Sequence, residues 1–545
     1  MKTGYLHGLA VTLFALLSWL VLVHGASLTG SALGQGTDPW LMMWFLAWWP
    51  YALGHHLYPL YTTLVWQPAG LNLGWTTSAP LLALLAAPVT LTLGPVAAYN
   101  VLMLLAPVAS ACAAYALCWR LTRVWPAALA GGYLYGFSAF EMAHSSQHLN
   151  LSSNACIPLL LLLALERAAR RLGRGGFVAL AGVLLAAQFS ISAELCATAV
   201  LTAGLAWGLG WIVPEWRGAL ARLAPEGLAA GVLAALLVSP VLYAMFALPH
   251  DMRLPPHWPV VFATDPFNLV VPTVNSAAGG AALWRVSMRF PGFVSEQGAY
   301  LGLPLLLLII LFIRRQERPQ GRFFAWLLLC IVLLSLGPQL WLDGVRTNLP
   351  LPWALIRHLP LFGAALPARL MLYAALASAV MAALFITQAP PGAARRQALW
   401  LAGLACLALL PVPHGVSPAP YSAFFAPGRV EAALGPRPRL LILPFGITGP
   451  SSFWQVQSGF AFTQTGGYLG YPPAALQGNM PIMRLYFGLP SPDLAPALAR
   501  YCTATATQYV VAGPGTPGFA VAALSTLGWA ARRVDNVTVF TVPAS

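Results

Sequence analysis

Asp38, followed directly by Pro39, is an acid in a chain that avoids charge: only 8% of its 545 residues are Asp, Glu, Lys or Arg. It stands just beyond the first long apolar run, residues 9–28, in a loop rich in Trp, Tyr, Gly and Pro. A carboxylate in a semi-apolar cleft has its charged form disfavoured, and its pKa can rise until it serves as a general base near neutral pH. Asp38 is therefore the candidate catalytic residue. A second set is Glu141, His144 and His148, spaced i, i+3 and i+7 and on one face if a helix runs through them. Two imidazoles and a carboxylate suit a divalent metal, and the same groups suit hydrogen bonding to a polar substrate. The Ser145-Ser146 step and Asn150 read instead as a helix ending, which would place His144, His148 and Asn150 in a polar turn.

Other acids expected at or near the same membrane face as Asp38 are Glu194, Asp251, Asp265, Glu296 and Asp343. Acids at a membrane boundary are costly and are read first as functional. The complementary cations are Arg253, Arg285, Arg289, Arg346, Arg357 and Arg369. Guanidinium recognises phosphate through paired hydrogen bonds in a low-dielectric site, and Arg369, at the mouth of an apolar run, is the strongest candidate for that role.

The elements that must position these groups follow from composition. Hydrophobic residues make up 59% of the chain and mean hydropathy is +0.73, which excludes an ordinary soluble globular protein. Apolar runs at 9–28, 96–119, 126–142, 152–165, 177–192, 196–213, 228–248, 299–313, 323–337, 367–386 and 398–412 predict a polytopic α-helical membrane protein with about eleven spans. With the N-terminus inside, short inner segments take up 15 of the 28 Lys and Arg residues. Positive-inside bias thus places Asp38 on the outer face, the periplasmic side of a bacterial inner membrane. The net charge of +14 belongs to this bias and to lipid headgroups rather than to nucleic acid. Seven cysteines, with no CxxC pair and only Cys502 beyond the spans, indicate neither disulfides nor a thiolate metal site.

Residues 29–95 form an unusually long first outer loop, and such loops are commonly functional. Within it, Trp40, Trp44 and Trp48 recur every fourth residue, predicting an interfacial helix whose rings either anchor the protein or form a platform for a lipid-linked ligand. A short apolar stretch, 80–93, reads as a second interfacial or re-entrant helix. The expected division is a transmembrane domain over 1–414 and a small C-terminal α/β domain over 415–545, where β-like runs at 439–444, 508–512 and 537–542 alternate with helical segments. Its segments 451–455 and 464–472 offer aromatics beside amides, suited to carbohydrate stacking or to packing.

The order of these pieces resembles the GT-C superfamily of integral membrane glycosyltransferases, and within it bacterial YfhO-type and related families. The pieces that carry the resemblance are Gly36-Thr37-Asp38-Pro39, residues 67–72, 88–100, 144–150, 296–302, 336–338 and 359–369. The resemblance implies inverting sugar transfer from a polyprenyl-phosphate donor to a glycan, lipid or protein acceptor at the outer face, with Asp38 as the base. Where many relatives carry a second acid after the third span, this chain has His144 and His148, so a divalent metal and the second catalytic role stay open. Trp40, Trp44, His144, His148, Asn150, Glu194, Asp265, Glu296 and Arg369 are the expected substrate contacts. A flippase of lipid-linked sugars and a non-catalytic factor of envelope polysaccharide assembly are the alternatives. Polar residues gather at span ends and loops rather than at mid-membrane, which favours interface chemistry over transport.

Overall fold

The computed structural model describes residues 2–250, 258–359 and 362–543. Asp251 and Arg253 lie outside the described residues. The chain forms two compact units: Met1–Ala26, Val101–Val238 and Pro255–Gly415 make the first, and Ser27–Asn100, Ser239–Leu254 and Val416–Ser545 the second. The first outer loop thus groups with the C-terminal residues, a different division from a cut at residue 415.

The first unit is built on apolar helices. Among the described residues, seven helices are long and apolar enough to cross a membrane: Gly4–Leu22, Pro95–Thr122, Leu149–Ala168, Arg174–Ile191, Ala193–Gly210, Pro214–Leu237 and Pro367–Gln388. The four remaining expected spans are also helical, at Trp125–Gly136, Leu303–Arg315, Arg318–Ser335 and Ala393–Ala408, but each is shorter or less apolar. Small residues allow close helix packing, as lipid-embedded helices require. A Cβ at Gly136 would lie 2.5 Å from the backbone nitrogen of Ala111, and one at Gly132 would lie 2.8 Å from the carbonyl of Ala111. At the expected inner side the unit is fastened by charge. Arg167 donates two hydrogen bonds of 2.7 Å to the carboxylate of Glu226, and its neighbour Glu166 accepts from Arg120. Adjacent residues on one helix thereby tie it to two others.

The helix 125–136 stops at Phe137, and Ser138 starts a new one by accepting a hydrogen bond from the Glu141 amide, 3.2 Å away. This second helix, Ala139–His144, lasts six residues and ends in a turn. His148 is therefore carried by the turn, not by the face that holds Glu141.

The second unit contains a five-stranded sheet. Its strands are β1 (Arg439–Leu443), β2 (Thr463–Gln464), β3 (Tyr509–Ala512), β4 (Ala531–Val534) and β5 (Val537–Thr541). The order is β4-β5-β3-β1-β2, with β1 parallel to β2 and β3, and β5 antiparallel to β3 and β4. Helices Ser451–Gln457, Leu494–Ala504 and Gly518–Thr526 occupy the connections. Buried β-branched and leucine side chains, Leu440 to Leu443 and Val510 to Val511, line the core.

Residues 27–100 are woven into this unit. Strand Ser31–Leu33 pairs antiparallel with Val416–Pro418, and the amides of Trp66 and Gln67 donate to Gly466 and Gln464. Helix Asp38–Gly54 packs on Ser451–Gln457. Its tryptophans face inward: Trp44 and Trp48 stack with centroids 5.2 Å apart, and Trp40 meets Phe453 edge-on at 5.4 Å. Trp44 donates through Nε1 to Gln455 Oε1 at 2.8 Å. The rings expected as a ligand platform are consumed in packing, because the facing element brings both an apolar surface and an acceptor for the indole.

Gln455 is the junction of this arrangement, since its Nε2 also donates to the carbonyls of Leu64 and Phe462, each at 3.0 Å. Gln455→Ala leaves the fully buried Trp44 indole N–H without an acceptor, at a cost of about 1–3 kcal/mol. A lowered thermal midpoint of the detergent-purified variant, read by tryptophan fluorescence, is the expected result.

Candidate functional site

Asp38 begins the helix Asp38–Gly54 inside the second unit. Gly36, at φ 89°, turns the chain into the helix, and Thr37 Oγ1 donates to the carbonyl of Ile447 at 2.8 Å. The carboxylate accepts a hydrogen bond of 2.6 Å at Oδ1 from the hydroxyl of Tyr468. Burial raises the Tyr468 phenol well above its ordinary pKa, and the Asp38 charge raises it further, so the hydroxyl stays a donor. A second phenol, Tyr486, is raised by burial and also feels Asp38.

In the first unit a different group of side chains converges. His144 Nε2 lies 3.5 Å from Glu296 Oε2, and His148 Nδ1 lies 4.0 Å from Glu296 Oε1. One donor atom from each of these three residues falls within 4.8 Å of the others. Arg369 sits behind Glu296, donating from Nε to Oε2 at 3.0 Å and from Nη2 to Oε1. Its Nη1 donates to Glu194 Oε2, and Glu194 Oε1 accepts from the Leu366 amide at 2.7 Å.

Each partner arrives by a local device. Gln147 Nε2 donates to Ser295 Oγ at 2.8 Å, fastening the histidine turn to the short 3-10 helix Val294–Glu296. Gly298 lets that segment press on the helix 139–144, since a Cβ there would lie 2.6 Å from Phe140 Cα. Asn268 Oδ1 accepts from the Ala299 amide at 3.1 Å and holds the chain beyond it.

The electrostatics suit a cation. Burial pushes His144 down to about 3 despite the opposing pull of Glu296, so the ring is neutral with a lone pair to share. Burial alone would raise Glu296, but the Arg369 charge and hydrogen bonds, with His144, overturn that and hold it at about 2. Glu296 is thus an ionised ligand at any ordinary pH. Neither ring nitrogen of His144 has a hydrogen-bond partner of good geometry although the residue is buried. Two imidazoles and a carboxylate are the donor set of a zinc-type divalent ion, and these residues fit one.

Several expectations change. Glu141 is not in the metal-type group: it is fully buried and accepts from Asn154 Nδ2 at 3.0 Å, and the turn after His144 takes His148 off the helix face that carries Glu141. Glu296, read as a substrate contact, takes its place. Arg369, expected to meet phosphate, spends its donors on two carboxylates. Asp265 is a brace rather than a contact: Oδ1 accepts from Phe267 N at 3.0 Å and Oδ2 from Gly344 N at 2.8 Å. Asn150 is buried on the four-residue helix Leu149–Ser152 that follows the turn. Asp343 pairs with Arg289 at 2.8 Å. Sequence reading places Tyr468 in a segment suited to carbohydrate but not beside Asp38, and it misses Gln147, whose partner Ser295 lies far along the chain.

No protein-family model and no characterised protein matches the sequence. Solved structures do. The cryo-EM structure of the arabinofuranosyltransferase AftD from Mycobacteria matches 99% of this chain with a TM-score of 0.55 at 14% identity, and a mutant form of AftD gives 0.57 at 12% over the same share. The chain has a GT-C fold. It spans about 40% of the length of AftD. The oligosaccharyltransferase of Archaeoglobus fulgidus, solved with zinc and sulfate, gives a TM-score of 0.48 at 12% identity over 92% of this chain and 68% of its own. With this fold, the Asp38 and His144 groups lie in a chain with helices long and apolar enough to cross a membrane.

Zinc titration of the purified protein by calorimetry should detect a site that His144→Ala or Glu296→Gln weakens by about tenfold or more, while Glu141→Gln leaves it unchanged. Separately, His414, whose amide donates to the Val21 carbonyl at 2.8 Å, is pushed by burial down to about 4. Its folded pKa is below the unfolded one, so its contribution is fully present above about pH 6.5 and is lost as pH falls through 4, up to about 3 kcal/mol. Thermal midpoints between pH 7 and 4 should fall less steeply in His414→Gln.

Proposed function

We propose that the chain is a membrane glycosyltransferase that moves a sugar from a polyprenyl-phosphate-linked donor to an acceptor at the outer face of a bacterial inner membrane, inverting the anomeric carbon. The observation that carries this reading is a GT-C fold along 99% of the chain, whose first long loop presents the acid Asp38. In this reading all eleven apolar segments cross the membrane, the N-terminus is cytoplasmic and the C-terminal residues are periplasmic. The activity in the name of AftD, arabinofuranosyl transfer, favours a pentose among the donors.

The reaction needs an acceptor hydroxyl made nucleophilic and a phosphate made a good leaving group. Asp38 takes the proton from the acceptor hydroxyl. The acceptor oxygen then bonds to the anomeric carbon on the side opposite the phosphate, the bond from that carbon to the phosphate oxygen breaks, and polyprenyl phosphate departs with the electron pair. His144, His148 and Glu296 would hold a divalent cation, which when bound neutralises charge developing on a phosphate. Arg369 keeps Glu296 ionised and oriented for that duty, and Glu194 holds Arg369 in turn.

Asp38→Asn keeps the shape of the side chain and removes its basicity. In membranes supplied with polyprenyl-phosphate pentoses and hexoses, radiolabelled sugar transfer by wild type and a loss of about a hundredfold or more in the folded variant are expected. Undiminished transfer by Asp38→Asn would overturn the assignment of the base.

A further inference from the structure

We propose that Tyr468 is a positioning residue for Asp38, so that the C-terminal part of the chain supplies a component of the reactive centre and not only a neighbouring fold. The inference rests on the reading of Asp38 as the base. Its ground is the 2.6 Å hydrogen bond from the Tyr468 hydroxyl to Asp38 Oδ1, made between residues 430 positions apart.

The loop that carries Tyr468 is built to hold it still. It leaves β2 as Thr465-Gly466-Gly467-Tyr468-Leu469-Gly470. Gly467 and Gly470 take φ of 126° and 125°, a region that favours glycine. Gly466 lies so close to Phe445 that a Cβ would fall 2.1 Å from its ring. Ser452 Oγ donates to the Tyr468 carbonyl at 2.7 Å, and Tyr486 Oη donates to that of Gly470 at 2.8 Å. Leu469 is buried between them. The backbone on both sides of Tyr468 is thus restrained. Asp38 is itself restrained through Thr37, bonded to Ile447 on the short 3-10 helix Gly446–Thr448 that follows β1.

The chemistry of the partner matters as much as its position. A lysine or arginine at this distance would neutralise the carboxylate and strongly weaken it as a base. A phenol that stays protonated orients the carboxylate through a strong hydrogen bond while leaving its negative charge in place. It acts on the direction in which Asp38 accepts a proton, a matter of geometry to which proton transfer is sensitive. The sugar-binding role considered for residues 464–472 does not account for a hydroxyl committed to an acid of the first loop.

The test combines a spectrum with kinetics. The carboxylate stretch of Asp38 is isolated as the infrared difference between wild type and Asp38→Asn, and needs no sugar donor. In Tyr468→Phe this band should shift, and with the polyprenyl-phosphate pentose and hexose panel kcat should fall about tenfold to a hundredfold with KM for the donor unchanged. Gly467→Ala, which keeps the hydroxyl but strains the loop, should reproduce both effects. The double variant Asp38→Asn with Tyr468→Phe should be no slower than Asp38→Asn, since the two act as a unit. An unshifted band in Tyr468→Phe, or wild-type kcat in that variant while Asp38→Asn is inactive, overturns the inference and spares the base. Activity retained in Asp38→Asn overturns the base reading itself, even where the band shift shows the contact to be real.

Discussion

Arg369 between Glu194 and Glu296 is the constraint on which the first unit's site depends. All three side chains are largely buried, and a buried charge is tolerated only when paired and hydrogen-bonded. The arginine satisfies both acids, yet two negative charges against one positive leave an excess of one. That excess lies on the side where two imidazoles stand. A cation there would complete both the charge and the coordination, which is why the triad reads as the support of a ligand set rather than as a closed structural ion pair.

The second unit solves a different problem. Its acid stands at the start of a helix drawn from an early loop, while the strands that hold that loop come from the end of the chain. The strand pair 31–33 with 416–418, the Trp44 to Gln455 bond and the Tyr468 to Asp38 bond all join residues nearly 400 or more positions apart. Such contacts carry a large loop-closure cost, offset here by a buried aromatic cluster of Trp44, Trp48 and Phe460. The tail is therefore part of what defines the loop's conformation.

What could be read in the chain follows from the range of the forces involved. Apolar runs and the strands at 439–443, 509–512 and 537–541 were legible because burial and β-branching act locally. Asp38 is conspicuous as an acid in an apolar sequence, but its hydrogen bond with Tyr468 is not readable there. Nor is the role of Glu296, since its place beside His144 and His148 turns on the end of the helix at His144 and a close approach at Gly298, which spacing along a sequence does not encode. Arg369 and Asp265 stand out in the sequence as charges expected at the outer face, but partner choice decides their roles: carboxylates for one, backbone amides for the other. The tryptophans at 40, 44 and 48 obeyed the expected helical period, and period alone could not say whether the ring face meets lipid, ligand or protein.

Two histidines beside one acid set what the first unit's cluster offers a cation. An additional carboxylate would add negative charge to a cluster that already holds an unbalanced acid, whereas a neutral imidazole gives a lone pair to a cation without adding charge. The cost falls on protonation: an imidazole is a ligand only when neutral. Burial settles this for His144 by holding it at about 3, far below any pH at which the protein would work. Glu296 has the opposite need, since a buried carboxylate tends to protonate, and Arg369 holds it at about 2. One arginine and a dry pocket thus bring two unlike ligands to the deprotonated state together, so that neither has to lose a proton when a cation arrives.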